Sequence, residues 1–120
     1  MYRNTGRPRR YGDCGLRLFI VIRRDPGETH ADFLEWWSDH HAEIAKDMPG
    51  LRRYVLHDVR EGFEKDLQWD GLAELEFESV DAARAAFASD AGRRSLEDTK
   101  GRGGARLMLS TDILRVVRAE

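Results

Sequence analysis

The stretch Thr29-His-Ala-Asp-Phe33-Leu-Glu-Trp-Trp37-Ser-Asp-His-His41-Ala-Glu-Ile-Ala45-Lys-Asp-Met48-Pro-Gly50 decides the fold, because it carries the clearest helical periodicity in the chain. Thr29 stands where an N-cap belongs, with Asp32 three residues on in a weak version of the capping box, and Pro49-Gly50 supplies the stop. A helix of about four turns is predicted between them. At about 100° per residue, Phe33, Leu34, Trp37, Ile44, Ala45 and Met48 gather on one stripe, while Glu28, Glu35, Asp39, Glu43, Lys46 and Asp47 lie mostly away from it. His41 projects within the apolar stripe; His40 falls at its edge beside Trp36.

Upstream, Leu18-Phe-Ile-Val-Ile22 is β-branched and aromatic and ends at the turn residues Asp25-Pro26-Gly27, so residues 16–23 read as a buried strand. Downstream, residues 51–59 read as a strand with Val55, His57 and Val59 on one face and Tyr54, Leu56 and Asp58 on the other. A polar loop follows over Glu61-Gly-Phe-Glu-Lys-Asp66. Residues 70–78 then alternate Ala73, Leu75 and Phe77 against Glu74, Glu76 and Glu78, a strand with one buried and one wet face. Ser79 caps an Ala-rich helix, Val80-Asp-Ala-Ala-Arg-Ala-Ala-Phe87. Residues 89–106, with Gly101-Arg-Gly-Gly104, read as a long loop with at most a helical turn around Arg93 to Asp98, and Leu107 to Val117 as the last strand.

The order strand, helix, strand, strand, helix, strand predicts an α+β, ferredoxin-like βαββαβ domain: a four-stranded antiparallel sheet with helices on one face. The first strand is apolar on both sides, so the bare face predicts a homodimer formed by packing two sheets together. The 120 residues with 41% hydrophobic content supply one core, assigned to 16–120, preceded by a flexible basic arm over 1–15 with Arg3, Arg7, Arg9 and Arg10.

A net charge of -2, from 20 Lys+Arg against 22 Asp+Glu, offers no general attraction to nucleic acid or to an anionic membrane. The longest apolar run is far short of the roughly 20 residues of a membrane span, and no signal-peptide segment is read at the N-terminus. A single cysteine, Cys14, excludes an internal disulfide and a multi-thiolate metal site, and the expectation is a cytoplasmic protein. Adjacent His40 and His41 diverge by about 100° on a helix and lack His-Glu-x-x-His spacing, so no metal site is expected. Gly101-Arg-Gly-Gly104 has neither the lysine nor the helix-opening context of a phosphate loop, which disfavours nucleotide cofactors.

The segments Phe33-Leu-Glu-Trp-Trp37-Ser-Asp-His-His41-Ala, Pro49-Gly-Leu-Arg-Arg-Tyr54-Val and Asp70-Gly-Leu-Ala-Glu-Leu-Glu-Phe77, followed by the Ala-rich helix, resemble the EthD family, named for a protein associated with ethyl tert-butyl ether degradation. The resemblance runs from about Leu18 to Val117 and implies the dimeric α+β barrel superfamily, a pocket between helices and sheet, and acid/base chemistry without metal or organic cofactor. The implied activity is that of an isomerase, cyclase or lyase on an aromatic, polyketide-like or lactone substrate. A cofactor-independent monooxygenase of the same superfamily and a non-catalytic small-ligand-binding or accessory protein are the alternatives. Where relatives keep an aromatic residue before an Asp near the last strand, this chain has Leu109-Ser-Thr-Asp112, which leaves the substrate open.

Matched position by position, the family's helix histidine falls on His41 and its strand tyrosine on Tyr54. Imidazole titrates near neutrality, as a general base requires, and a partly buried phenol can donate to a developing enolate. His40 is the alternative base if the helix is rotated by one position. His57 lies on the opposite face of its strand from Tyr54, so only one of the two points under the helices unless a bulge intervenes. Phe19, Trp36 and Trp37 are the candidates to line an aromatic pocket for a small hydrophobic or aromatic ligand.

Overall fold

The computed structural model describes residues 15–60, 69–100, 102, 104 and 106–120. Strand β1 (Leu16–Ile22) leads into α1 (His30–Glu35), a π-helical segment (Trp36–His41) and α2 (Ala42–Ala45). Strands β2 (Arg53–Asp58) and β3 (Gly71–Phe77) follow, then α3 (Val80–Ala88), α4 (Asp90–Lys100) and β4 (Arg106–Thr111). Of the basic arm read over 1–15, residues 1–14 with Cys14 lie outside the described residues, as does the polar loop over 61–66.

The strands form one antiparallel sheet in the order β2-β3-β1-β4. This is the ferredoxin-like arrangement expected from the element order, with the first and third strands in the centre. Thr29 caps α1, its hydroxyl accepting from the Asp32 N–H at 3.0 Å, and Ser79 caps α3 by accepting from the Ala82 N–H at 3.0 Å. Leu16, Leu18 and Ile22 of β1 and Ala73, Leu75 and Phe77 of β3 are buried together with Phe33, Trp37, Ala45 and Met48 of the first helical run and Ala83, Ala86 and Ala91 of α3 and α4. The opposite face of the sheet carries Leu107 and Leu109, 47% and 52% exposed. On that face Glu76 meets Arg17 at 3.2 Å, and Glu74 meets His57 at 2.7 Å.

Two expectations are corrected. Residues 90–100 form a complete helix, α4, where a loop with a single turn was expected. Ser89 opens it, its hydroxyl accepting from the Gly92 N–H at 3.1 Å. Its buried residues are Ala91, Gly92 and Ser95, a stripe of small side chains that does not register as an apolar period. They are small because α4 folds tightly back on α3: a Cβ at Gly92 would stand 2.2 Å from the Ala86 carbonyl oxygen. The last strand ends at Thr111, well short of Val117. Leu114 and Val117 beyond it are 87% and 77% exposed, and no strand among the described residues pairs with them.

A buried carboxylate joins the ends of several elements. Asp70 is 1% exposed. It accepts from the Arg24 backbone N–H at 2.7 Å and Nε at 3.1 Å, and pairs with His30 Nδ1 at 2.6 Å, while His30 Nε2 reaches Asp58 at 2.8 Å. Burial pushes the Asp70 carboxyl up, but the Arg24 and His30 hydrogen bonds outweigh it and hold it below its ordinary value. The same Asp70 bond raises His30 against the opposing effect of burial. The end of β1, the start of α1 and the entry to β3 are thereby tied at one point.

Candidate active site

The helix changes pitch where the candidate histidines sit. The Ala42 N–H bonds to the Trp37 carbonyl, five residues back, across Trp36–His41. Such wide turns are often found at functional sites. Adjacent residues on a regular helix point about 100° apart, yet here His40 and His41 both reach the two oxygens of one carboxylate. His41 Nδ1 lies 2.8 Å from Asp98 Oδ2, and His40 Nε2 lies 3.0 Å from Asp98 Oδ1. Asp98 comes from α4.

The two histidines differ in environment. The His41 side chain is 10% exposed, while that of His40 is 61% exposed. Trp36 stacks on the His41 imidazole at 5.1 Å, and the Arg102 guanidinium sits 3.7 Å above the centre of the Trp36 ring. Arg102 is held there by ion pairs to Glu28 and, at 3.7 Å, to Asp25. Burial pushes His41 below its ordinary value; Asp98 opposes this, and the charges of Arg106 and His40 add to the lowering. Burial therefore favours the neutral form of His41, and in that form the hydrogen bond to the Asp98 carboxylate assigns its proton to Nδ1. Nε2, which has no partner among the described residues, is left as the basic nitrogen.

His41 lines a cavity of about 30 Å³ between helices and sheet, together with Trp37, Tyr54, Phe87, Arg106 and Met108. Tyr54 projects from β2 under the helices, in register with Leu75, and burial pushes its phenol up to about 12. Trp37 packs close against the β3 backbone, where a Cβ at Gly71 would come within 2.4 Å of its ring. Outside this chamber lies a cavity of about 490 Å³ lined by Arg23, Glu97, Lys100, Arg102 and Arg106 among others. Ile22, Leu96, Thr99 and Arg106 border both spaces. The inner chamber holds about one water, whereas the outer one has the volume of a small-molecule site.

The sequence-derived candidates thus separate. His41, Tyr54 and Trp37 converge on the inner chamber, and Trp36 backs His41 from behind without bordering it. His57 stands on the far face of β2, paired with Glu74. Phe19 is corrected: it is in register with Glu74 and Leu109 on the face away from the helices and does not border the chamber. Both sides of β1 are apolar, so alternation alone does not tell which side the helices cover. Asp98 and Arg106 were missed, because one lay in a stretch read as loop and the other at the edge of it. Among the described residues, no group of His, Cys, Asp and Glu side chains is arranged to hold a metal ion, and no helix is long and apolar enough to cross a membrane.

Comparison with known proteins places this geometry in a context. The profile of the EthD domain matches residues 25–101. No curated protein sequence matches. Among solved structures, an ethyl tert-butyl ether degradation (EthD) family protein from Bacillus halodurans superposes with a TM-score of 0.70 at 19% identity, over 82% of this chain and 99% of the other. A dimeric ferredoxin-like protein of unknown function from Thermobifida fusca gives 0.67 at 17% identity, over 82% and 91%. SnoaB, a cofactor-independent oxygenase from Streptomyces nogalater, gives 0.60 at 15% identity, over 87% and 98%.

Proposed function

From the premise that this chain belongs to the EthD domain family, we propose that it is a small-molecule enzyme of the isomerase, cyclase or lyase type in which His41 moves a proton next to a carbonyl group. The observation that carries this reading is the buried imidazole of His41. Its Nδ1 is engaged by Asp98, and the residue lines a chamber that Tyr54 also lines. A base oriented by a third group is the recurring arrangement of general-base sites.

The body of an aromatic, polyketide-like or lactone substrate fits the outer cavity, with its reacting carbon turned toward the chamber. His41 Nε2 takes the proton from the carbon beside the carbonyl. The C–H electron pair passes to the carbonyl oxygen as an enolate, which the Tyr54 hydroxyl stabilises by donating a hydrogen bond. Asp98 keeps the imidazole in the required tautomer and stabilises the imidazolium that forms. It is a positioning residue. His40, on the exposed side of Asp98, and His57, on the far face, are assigned no step. No metal or organic cofactor is assigned to this chemistry.

A second reading is favoured by the likeness to a cofactor-independent oxygenase: the same carbanion would reduce molecular oxygen, and oxygen uptake separates the two. A homodimer joined through the bare sheet face is part of the proposal, supported by the exposed Leu107 and Leu109 and by the dimeric Thermobifida fusca protein. A cytoplasmic setting, resting on the single cysteine in the sequence, belongs to it as well.

The test is deuterium incorporation from D2O beside the carbonyl in a panel of aromatic ketones and lactones, followed by proton NMR. The protein should accelerate exchange in at least one member, and H41Q should lose about 10²-fold to 10⁴-fold of that rate while remaining folded. An H41Q protein that exchanges as fast as the unaltered one contradicts the assignment and leaves a ligand-binding role.

A further inference from the structure

We propose that Arg106 is a specificity-determining anchor for a carboxylate on the ligand, so that the substrate class is an anionic acid with an apolar body; this rests on reading the cavities above as the substrate site. Arg106 opens β4 opposite Ile22, on the helix side of the sheet. It is a residue of both cavities and therefore stands where they adjoin.

The neighbouring cations are already occupied. Arg102 is paired with Glu28 and Asp25 and stacked on Trp36. Lys100 lies 3.6 Å from Glu97, and Arg23 is stacked on Trp69 at 5.1 Å. Arg106 has no carboxylate partner among the described residues, and its one hydrogen bond is a long contact of 3.5 Å to the Thr99 hydroxyl. Arg106 is exposed at the rim of these cavities, and a guanidinium is matched best by a planar anion that accepts two parallel N–H bonds, which a carboxylate does. The apolar portion of the ligand is accommodated beside it by Ile22, Leu96 and Met108.

The placement also has a chemical consequence. The positive charge of Arg106 contributes to holding His41 below its ordinary value. A bound carboxylate neutralises that charge, so the base becomes stronger when the ligand is in place. An acid is thereby selected both by binding and by its effect on the base.

The experiment compares benzoate with benzamide, a neutral probe of nearly the same shape, by NMR titration of the indole N–H signals of Trp36 and Trp37. Benzoate should bind about tenfold more tightly than benzamide. R106Q should abolish that preference, R106K should retain part of it, and R94Q, altered elsewhere on the surface, should leave it intact. Equal responses to the two probes, including none to either, overturn the proposal, as does a preference that survives in R106Q. Displacement of benzoate by inorganic phosphate at equal concentration also overturns it, since the site would then read charge alone. H41Q keeps the two claims apart. If it retains the benzoate preference and also the unaltered exchange rate, the anchor stands and the general-base reading fails; if exchange depends on His41 but benzoate has no advantage, the reverse holds.

Discussion

Replacing Asp98 by alanine removes the acceptor that holds His41, and the size of the loss follows from how little water reaches the pair. The two side chains are 10% and 15% exposed and meet at 2.8 Å, so solvent screening is weak. A hydrogen bond to a charged group in such a setting contributes about 1.5–3 kcal/mol. For a domain of this size that loss lowers the melting temperature by about 5–15 °C. D98N keeps an amide oxygen able to accept from Nδ1–H, a neutral bond worth about 0.5–1.5 kcal/mol, and should recover roughly half. His40 shares the carboxylate, but its side chain is 61% exposed, so H40A should stay within about 0.5 kcal/mol of the unaltered protein. Thermal and urea unfolding followed by circular dichroism at neutral pH give the single values. A cycle with H41A, D98A and the double variant should show a coupling of about 1–2 kcal/mol. Additivity within that cycle, or a D98A protein within about 0.5 kcal/mol of the unaltered one, would refute the claim that Asp98 fixes His41.

Other variants probe the supporting structure. G71A drives a methyl group into the Trp37 ring and should cost about 1–3 kcal/mol in unfolding measurements, with a change in tryptophan fluorescence; an unaltered melt would show that Trp37 does not pack as described. Y54F should remain as stable as the unaltered protein but lower the His41-dependent exchange rate about 10²-fold to 10³-fold, and an unchanged rate would remove Tyr54 from the chemistry. His30 is raised above its ordinary value of 6.5, so its stabilisation is fully present below that pH and is lost as pH rises through the folded value. The gap in melting temperature between the protein and H30Q should therefore narrow toward alkaline pH; a gap that widens would contradict the Asp70 pairing. Asp70 itself is held below 3.8, so the destabilisation seen in D70N should fade as pH falls through that lower value.

The fold was legible because the apolar residues of β1, of the helix from His30 and of β3 follow the periods that burial imposes, and because Thr29 and Ser79 announce the helix starts. His41 was legible for the same reason: it lies four residues after Trp37 and four before Ala45, all three of them buried. Its partner was not. Asp98 lies 57 residues away along the chain, on a helix whose buried stripe of Ala91, Gly92 and Ser95 is too small to stand out against the charged residues around it. A capping signal was present in Ser89-Asp90 and a closing one in Lys100, and together they could have revealed α4. The side taken by Phe19 was hidden because apolar residues occupy both faces of β1. The Asp70 cluster was hidden because its members sit at element ends and meet only through the tertiary fold.

The most direct test of the account is the protonation state of one ring. Long-range proton–nitrogen NMR spectra of His41, recorded across pH, should show the neutral tautomer protonated at Nδ1 near neutrality and a midpoint below 6.5, since burial outweighs Asp98. A midpoint above 6.5, or a neutral ring protonated at Nε2, would contradict the assignment of His41 as the base facing the chamber.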